Sequence, residues 1–454
     1  MVLMVLIFLA QQGITAAKAS TAPSKTVLTN CNVIDCTGKP LMKNMTVVIT
    51  GSKITAIKQG PYQKSKNEKG VKVIDLKGAY VLPGFGNVHT HLSDLLPDPN
   101  NILEDEPLPS AVIRAGLNAM DALRHGFTLI RTVGDREFLD VAWRNFFDQG
   151  YLMGPRIFAC GYMLGVTGGH RGYIKSGADG VAEIRKAIRK ETVHGVDWIK
   201  IVDVEMLPDE LEAAVATAHH MGRRICAHSK EPATYRSVKA GVDCIEHGYG
   251  IKDETIELMA KKGTFYVPTI ICNLSAQYIK ERDERLAKLG YSKDKKIAKA
   301  RTIIAYADER TPKHALHQRR ALQKAFKAGV KVCIGGDSNP IGEIGILEIE
   351  QFVLSGISEM DALIAATRNC ADLLGMLDEL GTVEEGKVAD LVVVSDNPLE
   401  NISNIRKVKM VFKDGVSVDL NQPQGTASYW DFFFPQKKVK GYATEADKSV
   451  GFKK

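Results

Sequence analysis

The sequence predicts an α/β fold: a (β/α)8 TIM barrel with a small β-sandwich-like domain built from both chain ends. Between residues 80 and 337, eight short apolar runs of strand character alternate with amphipathic stretches of helical period. Such alternation builds a parallel sheet, and over about 250–290 residues its simplest closure is an eight-stranded barrel. β-rich segments flank this region on both sides. The alternative is a doubly wound sheet, but no G-x-G-x-x-G opens the first helix.

The strand runs are Tyr80–Val88, Thr128–Thr132, Arg156–Cys160, Asp197–Val202, Arg224–His228, Cys244–His247, Thr264–Thr269 and Lys331–Gly336. Helical periodicity is clear over Ala111–His125, Val181–Thr192, Asp209–Met221, Asp253–Lys262 and Leu316–Ala328. Before the barrel, residues 20–80 carry β-branched segments such as Met45–Thr50 and Val71–Leu76, parted by turns at Thr37-Gly38 and Gly51-Ser52. This stretch has too little apolar content to stand alone. After the barrel, at 377–420, the turn around Gly386 and the run Leu391–Val394 restore the β pattern and are expected to complete that domain. The barrel therefore spans 81–376. It holds a charged insertion over 272–312, which a barrel would place on its strand C-terminal face, either covering the mouth or standing solvated. A polar tail with an aromatic cluster occupies 421–454.

At 454 residues, 44% hydrophobic and 25% charged, the chain has a globular composition with room for one large and one smaller domain. The formal charge of +7 is dispersed, so nucleic acid is not an expected partner. Residues 1–19 pair an apolar core at Val2–Ala10 with Ala17-Lys18-Ala19, the pattern of a signal peptide. The apolar run is too short to span a bilayer, so the mature chain is expected to be exported, periplasmic or secreted, without a membrane span. No basic residue precedes the run. None of the eight cysteines forms a C-x-x-C; in an oxidising compartment Cys31 and Cys36 could close a small disulfide loop.

Barrel chemistry gathers at the C-terminal ends of the strands. His89 and His91 lie there on strand one, one residue apart and therefore on one face. Strand four holds Lys200, strands five and six end in His228 and His247, and strand eight ends in Asp337. Four histidines, a lysine and an aspartate converging on one face point to a metal site. A lysine among apolar strand residues is costly as a plain ammonium. It either pairs with an acid or, as a neutral amine, adds carbon dioxide to become a carbamate able to bridge two ions about 3.5–4 Å apart.

These residues sit in motifs that resemble the amidohydrolase superfamily, in the branch of bacterial Xaa-Pro dipeptidases, imidazolonepropionase-like enzymes and ochratoxin-type amidases. The motifs are Leu82-Pro83-Gly84 with His89-Thr90-His91, Gly126-Phe127-Thr128, Gly154-Pro155-Arg156, Thr167-Gly168-Gly169-His170, Trp198-Ile199-Lys200, Ala227-His228, Glu246-His247-Gly248, Gly336-Asp337-Ser338 and Gly386–Leu391. The resemblance implies two zinc ions per subunit: one held by His89, His91 and Asp337, the other by His228 and His247, with carboxylated Lys200 between them. It also implies hydrolysis of an amide C–N bond in a small molecule, such as a dipeptide or N-acyl amino acid, by a hydroxide shared between the metals. Asp337 would move the proton to the leaving amine, His170 would polarise the carbonyl, and a homo-oligomer is expected.

Two positions depart from the branch. Where its prolidases carry a tyrosine two residues past the strand-five histidine, this chain has Lys230, which can meet a substrate carboxylate only as a point charge. Asp203 and Glu205 replace the glycine-rich stretch after the strand-four lysine and could accept a basic or amide group. The alternative function is a mononuclear deaminase or cyclic amide or amidine hydrolase, for which Glu231, three residues past His228, would serve as proton shuttle.

Overall fold

The computed structural model describes residues 25–64, 68–93, 108–169, 177–273 and 314–421. The expected leader, nearly all of the 272–312 insertion, the tail beyond residue 421 and His170 lie outside the described residues.

Both chain ends contribute to one sheet. Its strands are β1 (Lys25–Val33), β2 (Met42–Thr50), β3 (Lys53–Gln59), β4 (Val71–Asp75), β5 (Tyr80–Pro83), β14 (Leu391–Val394), β15 (Val408–Lys413) and β16 (Val416–Ser417). Their order is β16-β15-β14-β5-β1-β2-β3, with β4 pairing β1. The join between early and late chain is the antiparallel pair β5–β14, in which Leu82 faces Val392. Among the described residues these strands are hydrogen-bonded into a single eight-stranded sheet, in which the β5–β14 pairing joins the C-terminal strands to the N-terminal ones. Alternate residues Met45, Val47 and Ile49 of β2 point inward, and with Leu28 and Cys31, which flank an irregularity in β1, they share a buried cluster with Leu391, Val393 and Phe412.

The run Tyr80–Val88, expected as one strand, is two. After β5 the chain passes Gly84 and continues as β6 (Phe85–Thr90) in a different sheet. A Cβ at Gly84 would lie 2.0 Å from Thr128 Oγ1, so the turn requires glycine there. Neighbouring amides confirm the switch: Gly84 N–H donates to Asp390 O and Phe85 N–H to Gly126 O, each at 2.8 Å.

From β6 onward every named pairing outside the eight-stranded sheet is parallel. One sheet orders β6, β7 (Phe127–Thr132) and β8 (Arg156–Phe158). The other orders β13 (Phe265–Val267), β12 (Cys244–Tyr249), β11 (Arg224–Lys230), β10 (Trp198–Val202) and β9 (Met163–Leu164). Backbone bonds link the two sheets at both margins. Trp198 N–H donates to Ala159 O at 3.1 Å. On the other side, Cys333 N–H donates to Tyr266 O and Val88 N–H to Ile334 O, both at 2.9 Å. The expected eighth strand is present as this linking stretch, with only Val332 in a regular bridge. Its two glycines pass close to neighbours: a Cβ at Gly335 would lie 2.3 Å from Val267 Cγ1. The two-residue β9 carries too little sequence pattern to be read in advance.

Helices cover the outside of these strands. Ala115 and Ala119 from the Leu108–Arg124 helix, and Ile184 and Ile188 from Gly180–Val193, pack with Ile130, Ile199, Ile225 and Ile245. Cys36 belongs to this cluster, whereas Cys31 belongs to the eight-stranded sheet's own. Facing different cores, the two stand as free, buried thiols and do not form the small disulfide loop. Among the described residues no helix is long and apolar enough to cross a membrane.

Candidate metal centre

His89 and His91 project from the end of β6, and both are buried. Each Nε2 lies 3.2 Å from Asp337 Oδ1. Their Nδ1 atoms are engaged on the other side, His89 at 2.7 Å from Glu246 Oε2 and His91 at 2.6 Å from Gly134 O. A carbonyl oxygen and an ionised carboxylate can only accept, so both Nδ1 atoms carry hydrogen. That leaves both Nε2 lone pairs facing Asp337, as a metal ligand requires.

His247 follows Glu246 on β12, and on a regular strand the two would point to opposite faces. They reach the same centre because His247 adopts the left-handed conformation (φ 64°) and β12 shifts register against β11 at this point. Thr269 (φ 48°) and Asp337 (φ 51°) are left-handed as well. Three such residues around one point, each costing about 1–3 kcal/mol, mark a functional site. The His247 ring stands 4.8 Å from that of His89 and 4.4 Å from that of His228, which is half-buried at the end of β11. Burial and then His228 push the His247 imidazole well below its usual pKa, keeping it neutral.

Lys200 lies in the middle of β10, 1% exposed, and its Nζ has no hydrogen-bond partner among the described residues. An orphaned buried amine beside neutral imidazoles fits a group still to be added, a metal or a carboxylated amine between metals. Two ligand-capable groups meet within 4.8 Å: His89, His91 and Asp337, and His247, Cys272 and Asp337. The residues present therefore suit divalent metal.

Three participants were not anticipated from sequence. Glu246 is fully buried between His89 and Arg131, and both partners outweigh burial to hold its carboxyl far below the usual range. Arg131, on β7, is 0% exposed, donates to Val88 O at 2.7 Å and stacks its guanidinium 4.7 Å from the Trp198 ring. Cys272 sits beside Tyr249, whose ring stacks on His247 at 5.1 Å. The legible signal for Glu246 was its place before a ligand-type histidine; for Arg131 it was an arginine inside an apolar strand.

Lys230 is exposed at the end of β11. Asp203, expected to be able to accept a basic or amide group, is not open to solvent. It is fully buried and accepts from Ser229 and Ser237, which ties β10 to β11 and to the following helix. Glu205 is exposed, its carboxylate near Gly169. Glu231 is engaged by Thr255 Oγ1 at the start of the Asp253–Lys262 helix.

The amidohydrolase family profile matches residues 80–418. The ochratoxinase of Aspergillus niger is 28% identical over 376 residues, 73% of each chain. An imidazolonepropionase of Symbiobacterium thermophilum is 24% identical over 357 residues, 71% of this chain and 77% of its own. A crystal structure of a Xaa-Pro dipeptidase with methionine bound in its active site superposes with a TM-score of 0.76. It is 29% identical and covers 87% of this chain and 100% of that one. These neighbours imply a TIM-barrel-like fold, and the family generally uses metal ions. With its parallel strands, its candidate metal-binding histidines and aspartate, and the family match over most of its length, the chain belongs to the amidohydrolase family and is a hydrolase acting on carbon–nitrogen bonds.

Proposed function

We propose that the protein is a metal-dependent hydrolase that cleaves an amide bond in a small molecule such as a dipeptide or an N-acyl amino acid. It would hold two zinc ions in a closed (β/α)8 barrel. The observation that carries this reading is the paired geometry at Asp337: two histidine Nε2 atoms at 3.2 Å from one carboxylate oxygen, with both Nδ1 atoms anchored elsewhere. His89, His91 and Asp337 would hold one metal, His228 and His247 the second, and Lys200, once carboxylated, would join them. The bound metals supply Lewis acidity toward the substrate carbonyl and lower the pKa of water.

This chain's own residues do the rest. Asp337 would accept a proton and return it to the leaving amine. His170 is assigned to the substrate carbonyl, and exposed Lys230 to a substrate carboxylate as a point charge. The likeness to ochratoxinase and to a Xaa-Pro dipeptidase favours amide substrates.

The mononuclear deaminase or cyclic amidine hydrolase reading draws on the likeness to an imidazolonepropionase. It needs Glu231 as proton shuttle, but that carboxylate is engaged by Thr255. Metal analysis separates the readings: about two zinc equivalents per chain support the first and about one the second. A screen of Xaa-Pro and other dipeptides beside N-acyl amino acids then identifies the substrate class, and no turnover of any of them would overturn the amide-substrate assignment.

A further inference from the structure

Cys272 lies in a short 3-10 turn, Ile270–Cys272, that follows β13. Its Sγ, a ligand atom of His247 and an Asp337 carboxylate oxygen all lie within 4.8 Å of one another. Mutual distances of that order are close to those needed for one shared zinc, given bond lengths of about 2.0–2.3 Å.

Two features fix the sulfur in place. The first is its polar contacts. Asn273 Nδ2 points an N–H at Sγ from 3.5 Å, and the Tyr249 hydroxyl lies 3.7 Å away. Asn273 is itself fixed by Gln318 at 2.6 Å, and Gln318 by Pro268 O at 2.6 Å, both side chains buried. Burial and then the Asp337 carboxylate push the Cys272 thiol up, so metal binding itself would have to displace its proton. The second is the turn's anchorage: Ile270 N–H and Ile271 N–H donate to the two carboxylate oxygens of buried Glu348 at 2.9 and 2.7 Å. Thr269, in a left-handed conformation, starts the turn and lies 2.6 Å from His247 Nδ1. The backbone leading to Cys272 is therefore fixed at several points beside His247.

We propose that Cys272 is a thiolate ligand of the metal held by His247, giving one of the two metal positions a sulfur donor. This inference rests on the metal reading above. As the metal–sulfur bond forms, the thiol proton passes to solvent, so ligation adds no redox step. A sulfur donor shifts that position toward softer cations such as zinc or cadmium over magnesium or manganese.

Zinc-edge X-ray absorption of the zinc-loaded full chain tests this without reference to turnover. The expected result is a sulfur shell at about 2.3 Å, equivalent to about one sulfur per two zincs, beside nitrogen and oxygen at about 2.0–2.2 Å. In Cys272→Ser and Cys272→Asp the sulfur shell should vanish, and the aspartate variant should keep its zinc. Zinc bound by the unmodified protein with nitrogen and oxygen neighbours alone overturns this assignment and leaves the metal reading intact. Retention of the sulfur shell in Cys272→Asp overturns it equally. A chain that takes up no zinc overturns both.

Discussion

His89 Nδ1 and Glu246 Oε2 meet at 2.7 Å, with neither side chain open to solvent. Behind Glu246 stands Arg131, so a metal-facing imidazole is fastened through a carboxylate to a guanidinium inside the strands. The pair sets both the tautomer and the aim of His89. Replacing Glu246 by glutamine keeps the volume but strips Arg131 of its counter-charge. Stability to denaturant should fall by about 3–5 kcal/mol. Metal affinity, read by chelator competition on folded protein, should weaken by about 10–100-fold. Unchanged values in both assays would remove Glu246 from the centre.

Lys200 offers a test of opposite sign. Its Nζ is buried without a partner among the described residues, so Lys200→Met should leave the metal-free protein at least as stable as the parent in thermal melts. The same variant should lose about one of two metal equivalents and most of its activity. Full metal content and turnover in Lys200→Met would eliminate the bridging role.

Gly335 tests how tightly the linking stretch confines the first histidine. An added Cβ would lie 2.5 Å from His89 Cβ and 2.3 Å from Val267 Cγ1. Gly335→Ala should cost about 1–3 kcal/mol and weaken metal binding, because His89 must move. Gly386→Ala is the comparison for backbone strain without a clash: its φ is +91°, and no atom lies within 4 Å of the added Cβ. It should lose stability yet keep metal affinity, as titration of each variant against a chelator would show.

Glu191 predicts the pH dependence. Burial raises its carboxyl from 4.5 to about 7, although Tyr162 N–H donates to it at 3.0 Å. A folded value above the unfolded one means the native state holds the extra proton between them. The contribution is therefore complete below about pH 4.5 and is lost as pH rises through about 7. Glu191→Gln keeps an acceptor for Tyr162 and removes the titration. Its stability relative to the parent should improve from pH 5 to pH 9 by up to roughly 3 kcal/mol in denaturant unfolding.

The alternation of strands and helices was legible because buried parallel strands are continuous apolar runs and their covering helices are amphipathic. His89, His91, His247 and Asp337 were legible because they are polar residues at strand ends. What escaped was set by contacts distant in sequence. Glu246 and His247 share a centre only through a positive φ that no local pattern announces. Arg131 is paired with an acid 115 positions away. Asp203 reads as an acid free to meet a substrate, but it is buried and accepts from Ser229 and Ser237. Cys272 reads as one more small hydrophobe until the turn after β13 carries it to His247.

The passage from β5 to β6 takes one residue, Gly84, yet it joins the eight-stranded sheet to the strand bearing His89 and His91. Four residues separate that hinge point from the first histidine, and β14 grips the segment before it along Tyr80–Pro83. The C-terminal strands are thus a mechanical clamp on the catalytic half. Truncating the chain before Leu391 would release the tether of the very strand that carries the first two histidines. A split at Gly84 would likewise cut the short covalent link from β5 to the strand that carries them.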